Sequence, residues 1–306
     1  MQLAIVIPYY KKTFFRETID SIASQTCKDF VLYIGDDASL ENPQDIIQEY
    51  KDKIRIVYHR FDENLGSKDL VAQWDRCIDM TQNEDWIWLF SDDDTMEKTC
   101  VEEFYSTLKE FPNIRIMRYI KEFCNMVDGT SLCSTYKKGF TPFSEFVCDG
   151  LDLTENHVTM PEFLFHRNLY ENNGIVNVPL AWGSDKTTYL QYVFEAGMIY
   201  NLSSIVFYRY SDRNISSSKE LWQNEIKFKG KIDTIMWHKN FFKQVRCKYI
   251  DINVSELENR YIDRQSYFLS IDSIPPLQKI KICYYLFSVV PTLKSLKCII
   301  KSMRKI

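Results

Sequence analysis

Apolar runs alternate with segments of helical spacing through the first 120 residues, and this alternation constrains the fold more than any other feature. Five runs have the length and composition of buried strands: Leu3–Ile7, Phe30–Ile34, Ile54–Tyr58, Trp86–Phe90 and Ile114–Tyr119. Helical spacing separates them at 14–25, 44–51, 68–81 and 98–109. The alternation predicts βαβ units and a mostly parallel sheet flanked by helices. Ligands of such sheets bind at the carboxyl ends of the strands, so the residues directly after each run are the candidates for function.

The pattern changes after residue 120, and the rest of the chain is predicted to contain more helix than strand. Residues 120–160 mix polar, aromatic and turn-forming positions and predict an irregular segment. Helices are predicted at about 161–172 and from Ser184, as N-cap, to Gly197, with a strand at Ile199–Tyr210. After a polar loop, helices are predicted at 220–246, 254–270 and 277–305. We therefore expect an α/β domain over 1–215 and a helical C-terminal region over 216–306.

Charge and cysteine content limit the classes of function. The 306 residues carry a formal net charge of −4, which is not typical of a nucleic-acid-binding chain. The nine cysteines form no C-x-x-C pair, so we expect no disulfide framework, no structural zinc site and a reducing, cytoplasmic setting. The N-terminus predicts a buried strand and not a signal peptide. No run approaches the roughly 18 to 20 apolar residues that a membrane span needs.

The last segment of the chain combines apolar residues with cations. No acidic residue follows Asp272, whereas seven lysines and arginines do. Basic amphipathic helices bind anionic membrane surfaces, but they also pack on their own domain with the lysines in solvent. Both interpretations stay open for residues 277–306, and the first would bring the protein to the inner membrane face.

Two clusters of acidic residues follow predicted strands. Asp36-Asp37 comes after the second strand, and Ser91-Asp92-Asp93-Asp94 comes after the fourth. Adjacent carboxylates repel one another unless a cation is near. Mg²⁺ or Mn²⁺ bridging a diphosphate would account for the second cluster, since such ions take one or two carboxylates plus phosphate oxygens. The alternative is a solvated acidic turn before the helix near 98–109, where acids are favoured by the helix dipole.

Four motifs follow one another at the start of the chain: Ile5–Tyr10, Thr18–Thr26 with its closing Gln25-Thr26 pair, Phe30–Ser39 with its Asp-Asp-x-Ser end, and Asn64-Leu65-Gly66. In order and spacing they resemble an opening strand and turn, a first helix, a second strand and an Asn-x-Gly turn of glycosyltransferase family 2. That family comprises inverting enzymes of the GT-A fold. The resemblance runs through most of the first 215 residues and implies a GT-A, Rossmann-like domain.

The resemblance implies a site for a nucleotide-sugar donor. Pro8 would lie beside the nucleobase, with Tyr10 near it, and Asp37 would hydrogen-bond the edge of the base, which is compatible with uracil. The family's metal motif is Asp-x-Asp-Asp, and Ser91 stands in its first position here. We expect Asp93 to bind the metal directly, Asp92 to lie near the ribose, and Asp94 to be a second or alternate ligand.

The resemblance also implies a catalytic base at the start of a helix. Asp185 fits that place and would deprotonate the acceptor hydroxyl, with Trp182 stacking on a sugar. The alternative is an acid that only completes the first helical turn. Glu162 and Asp152 are weaker candidates for the base.

Three cations are candidates for contact with the diphosphate, which needs positive charge as it leaves. Lys68 follows the Asn-x-Gly turn, and Arg209 and Arg213 flank the end of the last predicted strand. For each, the alternative is an ordinary solvated side chain.

Taken together, the motifs imply an inverting, metal-dependent glycosyltransferase. It would move a sugar from a nucleoside diphosphate to a hydroxyl of a glycan or lipid-linked glycan in bacterial surface polysaccharide synthesis. Because Asp37 is compatible with uracil, we expect the nucleoside diphosphate to be UDP. One alternative is a non-catalytic protein of the same fold that binds a nucleoside diphosphate. A nucleotidyltransferase is less favoured, because the segment after the first strand, Pro8–Lys12, contains no glycine.

Overall fold

One mixed sheet runs through the protein. The computed structural model describes residues 2–151, 156–211, 225–269 and 276–289. The strands within these ranges are β1 (Leu3–Tyr9), β2 (Phe30–Asp36), β3 (Arg55–Arg60), β4 (Trp86–Leu89), β5 (Thr95–Met96), β6 (Ile116–Asn125), β7 (Ser131–Cys133), β8 (Gly139–Pro142), β9 (Phe163–His166) and β10 (Met198–Tyr210). Their order is β3-β2-β1-β4-β9-β6-β10-β5, with β7 beside β6 and β8 beside β10.

Helices cover both faces of the sheet. Those in the described ranges are α1 (Phe15–Ala23), α2 (Gln44–Gln48), α3 (Leu70–Ile78), α4 (Cys100–Glu110), α5 (Phe143–Gly150), α6 (Arg167–Asn173), α7 (Ser184–Ala196), α8 (Glu225–Lys248), α9 (Val254–Leu269) and α10 (Pro276–Val289). Residues 3–7 of β1 are completely buried, as expected for a strand covered on both faces. Its side chains alternate between two core clusters, one with α1, α2 and α4 and the other with α3 and the later helices.

The first half of the sheet has the predicted architecture. β3, β2, β1 and β4 are parallel, and the helices α1, α2, α3 and α4 lie where helical spacing predicted them. The carboxyl ends of β1, β2 and β4 therefore meet at one edge of the sheet. The predicted strand β10 and the helices α8, α9 and α10 are also present within the described ranges.

The antiparallel strand β9 was not predicted. It pairs with β4 on one side and β6 on the other and so joins the two halves of the sheet. The helix predicted at 161–172 is wrong over its first part, because the apolar run Phe163–Phe165 is buried in the sheet. The remainder forms α6, which ends as predicted at Gly174, a residue with φ of 62°.

The segment 120–160 is more regular than predicted. β6 extends to Asn125 and turns back into β7, β8 pairs with the distant strand β10, and α5 follows at once. A local pattern cannot reveal such pairings, because the partners of β8 lie more than 50 residues away along the chain. The prediction of an irregular segment was therefore wrong for these elements.

The C-terminal helices share a core with the α/β part. The ring of Phe241 in α8 lies 6.1 Å from Phe143 of α5 and 5.6 Å from Phe194 of α7. The domain boundary predicted at residue 215 falls among residues outside the described ranges and stays a prediction. None of the helices described is long and apolar enough to cross a membrane. Residues 290–306 also lie outside those ranges, so membrane contact through 277–306 stays a prediction.

Candidate active site

A cleft of about 760 Å³ lies at the carboxyl ends of β1, β2 and β4, and residues of α7, α8 and α9 complete its wall. Most of the residues predicted from the sequence to form the site line this cleft: Pro8, Tyr10, Asp37, Asp92, Asp93, Trp182 and Asp185. They come from parts of the chain as far as 177 positions apart, so the fold brings the acidic ends of the strands and the start of α7 to one place.

Asp37 is held at the cleft wall by three donors. Leu65 N donates to Oδ1 at 2.7 Å and Gly66 N to Oδ2 at 2.9 Å, and the Arg76 guanidinium donates to Oδ1 at 2.5 Å. Burial raises the pKa of Asp37, while these contacts act in the opposite direction. A carboxylate has about four lone-pair sites, so one stays available for a ligand. A Cβ on Gly66 would lie 2.6 Å from Oδ2, which explains the glycine of the Asn-x-Gly turn.

Asp92 ties the turn after β4 to the turn after β1. Its Oδ2 accepts hydrogen bonds from Tyr10 N at 2.7 Å and from Lys11 N at 2.8 Å. These contacts fix the backbone that carries Tyr10, whose side chain is 42% exposed. The position of Asp92 near a ribose stays a prediction.

The three consecutive aspartates have raised pKa values. Burial is the largest cause for each, and repulsion from neighbouring carboxylates adds to the shift of Asp93 and Asp94. The pKa of Asp94 is raised to about 7. Asp93 lines the cleft, whereas Asp94 is completely buried and lies outside its lining. Asp94 Oδ1 accepts from Arg209 N at 2.7 Å, and Oδ2 has no hydrogen-bond partner among the residues described.

A divalent cation fits this turn by its charge, because it would offset both the burial of the carboxylates and the repulsion between them, which raise the pKa values. In the described part of the chain, no group of three or more histidine, cysteine or acidic side chains is arranged to hold a metal ion. An ion here would therefore need phosphate oxygens besides one or two carboxylates, as Mg²⁺ commonly does. Asp93 as the direct ligand, and Asp94 as a second, stay predictions.

Of the three predicted phosphate-binding cations, the two that the structure describes do not line the cleft. Lys68 is exposed and forms an ion pair with Glu63 at 2.9 Å, which fits the solvated alternative. Arg209 is buried against α1: its guanidinium donates to the carbonyl of Asp93 and, at 3.2 Å, to that of Phe14. Arg209 therefore supports the acidic turn 92–94 on the side of α1 and not from within the cleft. Arg213 lies outside the described residues.

The turn before Asp185 has a strained backbone. Leu180 and Ala181 have φ values of 59° and 50°, in the left-handed region that costs non-glycine residues about 1 to 3 kcal/mol. Ala38, next to Asp37, is the other non-glycine residue with positive φ in the described ranges. Leu180 and Ala181 line the cleft, and Ala38 directly follows the lining residue Asp37. Strain of this kind clusters at functional sites, where the surrounding structure holds it in place.

Asp185 occupies the first turn of α7, as predicted, and faces the cleft. Ser184 is not the N-cap: Gly183 takes that position with φ of 94°, and the Ser184 hydroxyl accepts from Val178 N at 3.3 Å. Burial raises the pKa of Asp185, and the charges of Lys186 and Lys121 oppose the shift. A raised pKa makes the carboxylate a stronger proton acceptor.

Glu162 lies behind the cleft wall. It is completely buried, pairs with Lys121 of β6 at 3.5 Å and accepts from Thr159 N at 2.7 Å. This contact is part of a capping box at a short 3₁₀ helix, Met160–Glu162. Glu162 is outside the lining, so its place favours a structural role over that of a base. Asp152, the other weak candidate, lies outside the described residues.

Sequence reasoning missed the part of the wall that comes from the C-terminal helices. These residues are Lys231, Thr234 and His238 of α8, and Tyr261 and Gln265 of α9. Their spacing of three or four residues would place each set on one helix face. This spacing was the sequence feature that could have indicated a shared wall. No motif distinguished them, since isolated polar residues at such spacing are common.

The amino-terminal half of the chain has a recognisable family. Residues 4–148 match the model of the family described as "Glycosyl transferase family 2". The match covers slightly less than half of the chain. The chain is also 36% identical over 67 residues to two curated proteins named Validoxylamine A glucosyltransferase, from Streptomyces hygroscopicus subspecies jinggangensis and limoneus. The match covers 21% of this chain but only 16% and 15% of theirs, so the chain spans about a sixth of these relatives.

The fold is similar to that of TarS from S. aureus. The crystal structure of TarS 1–349 in complex with UDP superposes with a TM-score of 0.68 at 13% identity, covering 99% of this chain and 89% of that one. The complex of the same fragment with UDP-GlcNAc gives 0.62 at 13% identity, covering 99% and 90%. At this identity the likeness concerns the fold alone. The predicted α/β, GT-A fold class with a helical C-terminal region is confirmed.

Proposed function

We propose that the protein is a glycosyltransferase that moves a sugar from a UDP-sugar to a hydroxyl group of an acceptor. One observation carries the proposal: a single cleft combines Asp37, Asp92 and Asp93 of the family-matched segment with Asp185 at the start of α7. Two relationships support the donor. The TarS structures of the same fold contain UDP and UDP-GlcNAc, and the curated relatives are named glucosyltransferases.

The nucleotide would bind at the ends of β1 and β2. Asp37 has a lone-pair site left for an N–H on the base, and its position is fixed by Leu65, Gly66 and Arg76. Pro8 and Tyr10 line the same part of the cleft and offer apolar surface to the base. A uracil edge, which has one N–H between two carbonyl groups, suits a single carboxylate acceptor.

The diphosphate would lie over the turn after β4. We propose Mn²⁺ or Mg²⁺ there, with Asp93 as its ligand because Asp93 faces the cleft and Asp94 does not. Such an ion supplies positive charge to the leaving diphosphate. Lys11 also lines the cleft and offers the cation that Lys68 and Arg209 do not.

Asp185 would act as the base in a direct displacement. Its carboxylate takes the proton of the acceptor hydroxyl while that oxygen bonds to the anomeric carbon of the sugar. The bond from that carbon to the phosphate oxygen breaks, and UDP leaves with the electron pair. The configuration at the anomeric carbon inverts. As the sequence predicts, we propose a glycan or lipid-linked glycan of a bacterial surface polysaccharide as the acceptor.

The test replaces Asp185 by asparagine, which keeps the shape of the side chain and removes its basicity. Glu145→Gln is the matched control, since Glu145 is an exposed acid in the first turn of α5. Asp185→Asn should bind UDP as the wild type does and lose transfer by about 10²- to 10⁴-fold, the usual contribution of a general base. The control variant Glu145→Gln should keep both UDP binding and sugar transfer.

Two outcomes would contradict the proposal. Transfer by Asp185→Asn at the wild-type rate would exclude Asp185 as the base. A wild-type protein that binds UDP with Mn²⁺ but neither transfers nor hydrolyses any UDP-sugar would favour the non-catalytic alternative.

A further inference from the structure

The wall that α8 and α9 contribute to the cleft lies beyond the family-matched segment. It presents Lys231, Thr234 and His238 from α8, and Tyr261 and Gln265 from α9. The family model matches residues 4–148, so the residues of this wall come from outside the matched segment. Its polar groups are well placed to meet whatever molecule approaches Asp185.

Gln265 has a buried acceptor atom that receives no hydrogen bond from the part of the chain that the structure describes. Its side chain is 7% exposed, and its Oε1 lacks a hydrogen-bond partner within the described residues. Leaving such a group unpaired costs about 1 to 3 kcal/mol. Six buried side-chain polar atoms share this property in the described ranges, but Gln265 is the one residue among them that lines the cleft. A ligand that donates a hydrogen bond would satisfy it.

His238 presents a second acceptor on the same wall of the cleft. Burial lowers the pKa of His238 to about 4, so its ring is neutral at pH 7. Nδ1 lies 2.7 Å from the carbonyl oxygen of Thr234, and because a carbonyl can only accept, Nδ1 carries the proton. Nε2 is then an acceptor. The Tyr261 hydroxyl lies 3.3 Å from the protonated Nδ1 and retains its own proton to donate.

The same helix reaches the turn that precedes the proposed base. Gly230 of α8 approaches so closely that a Cβ there would lie 2.8 Å from the carbonyl oxygen of Pro179. One turn further along, Thr234 Oγ1 is 3.3 Å from the carbonyl oxygen of Trp182. The wall is therefore packed directly against the segment 179–183, and a ligand bound to it would lie next to Trp182 and Asp185.

We propose that Gln265, His238 and Tyr261 form a subsite for a polyhydroxylated group of the acceptor, such as a neutral sugar ring or polyol. Hydroxyl groups both donate and accept, so they can satisfy Gln265 Oε1 and His238 Nε2 and accept from Tyr261. A fully ionised phosphate or carboxylate has no proton to give to the two acceptors. The assignment of the ligand as acceptor depends on the proposed function, whereas its binding to this wall does not.

The experiment measures direct binding to the full chain by ligand-observed NMR titration. The neutral probes are methyl α-D-glucopyranoside, maltotriose and glycerol, and the anionic probe is glycerol 3-phosphate, each with and without UDP and Mn²⁺. Gln265→Leu removes the unpaired acceptor at similar size. Gln244→Leu, at an exposed position of α8, is the matched control. Tyr261→Phe tests the hydroxyl with a second variant.

At least one neutral probe should bind the wild type, and Gln265→Leu should weaken it about tenfold, as expected for loss of one buried hydrogen bond. Tyr261→Phe should also weaken it, and Gln244→Leu should not. Gln265→Leu should in addition raise the melting temperature of the free protein, because it removes an unpaired buried acceptor. A merely structural glutamine would instead lower that temperature on replacement.

Three results would overturn the subsite: no neutral probe binds the wild type, Gln265→Leu binds as the wild type does, or glycerol 3-phosphate binds more tightly than glycerol and independently of Gln265. UDP affinity is measured on the same samples. Failure of UDP binding with intact probe binding would refute the proposed function and leave the subsite standing.

Discussion

Gly66 lies so close to Asp37 that one added methyl group would displace the carboxylate. The new Cβ of Gly66→Ala would stand 2.6 Å from Oδ2, well inside ordinary van der Waals contact. Gly66 is not among the residues with positive φ, so alanine meets no backbone obstacle there. The whole effect should therefore come from the collision with Asp37.

The expected loss of stability in Gly66→Ala follows from the contacts that the Asp37 carboxylate would lose. Overpacking of this size costs about 1 to 3 kcal/mol, and the contacts from Leu65 N and Gly66 N to Asp37 would be lengthened or lost. In an Asp37→Ala background the obstacle is absent. There Gly66→Ala should be neutral or stabilising by about 0.4 to 1 kcal/mol, because alanine reduces the entropy of the unfolded chain.

A double-mutant cycle on the free energy of unfolding tests this reasoning. Urea unfolding of the wild type, both single variants and the double variant should give a coupling energy of about 1 to 3 kcal/mol between the two sites. UDP affinity should fall in Gly66→Ala, since the acceptor for the base is moved. Effects that add to within about 0.5 kcal/mol would refute the claim that the two residues meet.

Further predictions concern the acidic turn, the base and the cations. Asp93→Asn should abolish the Mn²⁺-dependent part of the thermal shift caused by UDP, and Asp45→Asn, an exposed acid of α2, should not; an undiminished shift would remove Asp93 as the ligand. The rate of transfer should fall as pH drops through the pKa of Asp185, which burial raises, so the acid limb of kcat/KM should lie above the range of an ordinary aspartate. Lys68→Ala should leave UDP affinity within about twofold, since an exposed ion pair contributes at most about 1 kcal/mol. Arg209→Ala should lower the free energy of unfolding by about 2 to 4 kcal/mol, because it removes a buried guanidinium that donates to the carbonyls of Asp93 and Phe14; a loss of UDP affinity without a loss of stability would contradict its place behind the turn.

The first half of the sheet was predictable because each strand carries its own signal. The runs that became β1, β2 and β4 are continuous, apolar and flanked by helical spacing, a combination typical of buried parallel strands. β9 has only the four residues Phe163–His166, and so short an apolar run fits a strand or a helix equally. Its assignment depends on pairing with β4 and β6, which lie far away in sequence.

The residues of the candidate site also include some whose place could be predicted from the sequence and some whose place could not. Asp37, Asp93 and Asp185 could be predicted because a position after a strand or at the start of a helix fixes where a side chain will lie. Arg209 also lies at the end of a strand, but its side chain lies on the α1 side, where it donates a hydrogen bond to the carbonyl of Phe14. The residue type and chain position of Arg209 are compatible with a phosphate contact, but its side chain points away from the cleft.

The C-terminal wall is the part of the cleft that the sequence motifs did not predict. The residues proposed to meet the nucleotide stand in motifs that directly follow β1, β2 and β4 in the sequence. Gln265 belongs to no motif, and it is recognised only because its Oε1 lies in the cleft without a hydrogen-bond partner among the described residues. Because α8 also packs on Pro179 and Trp182, the wall that would bind the acceptor is joined to the turn that carries the proposed base. A change of acceptor preference through α8 or α9 should therefore also alter the position of Asp185, and so the rate of transfer.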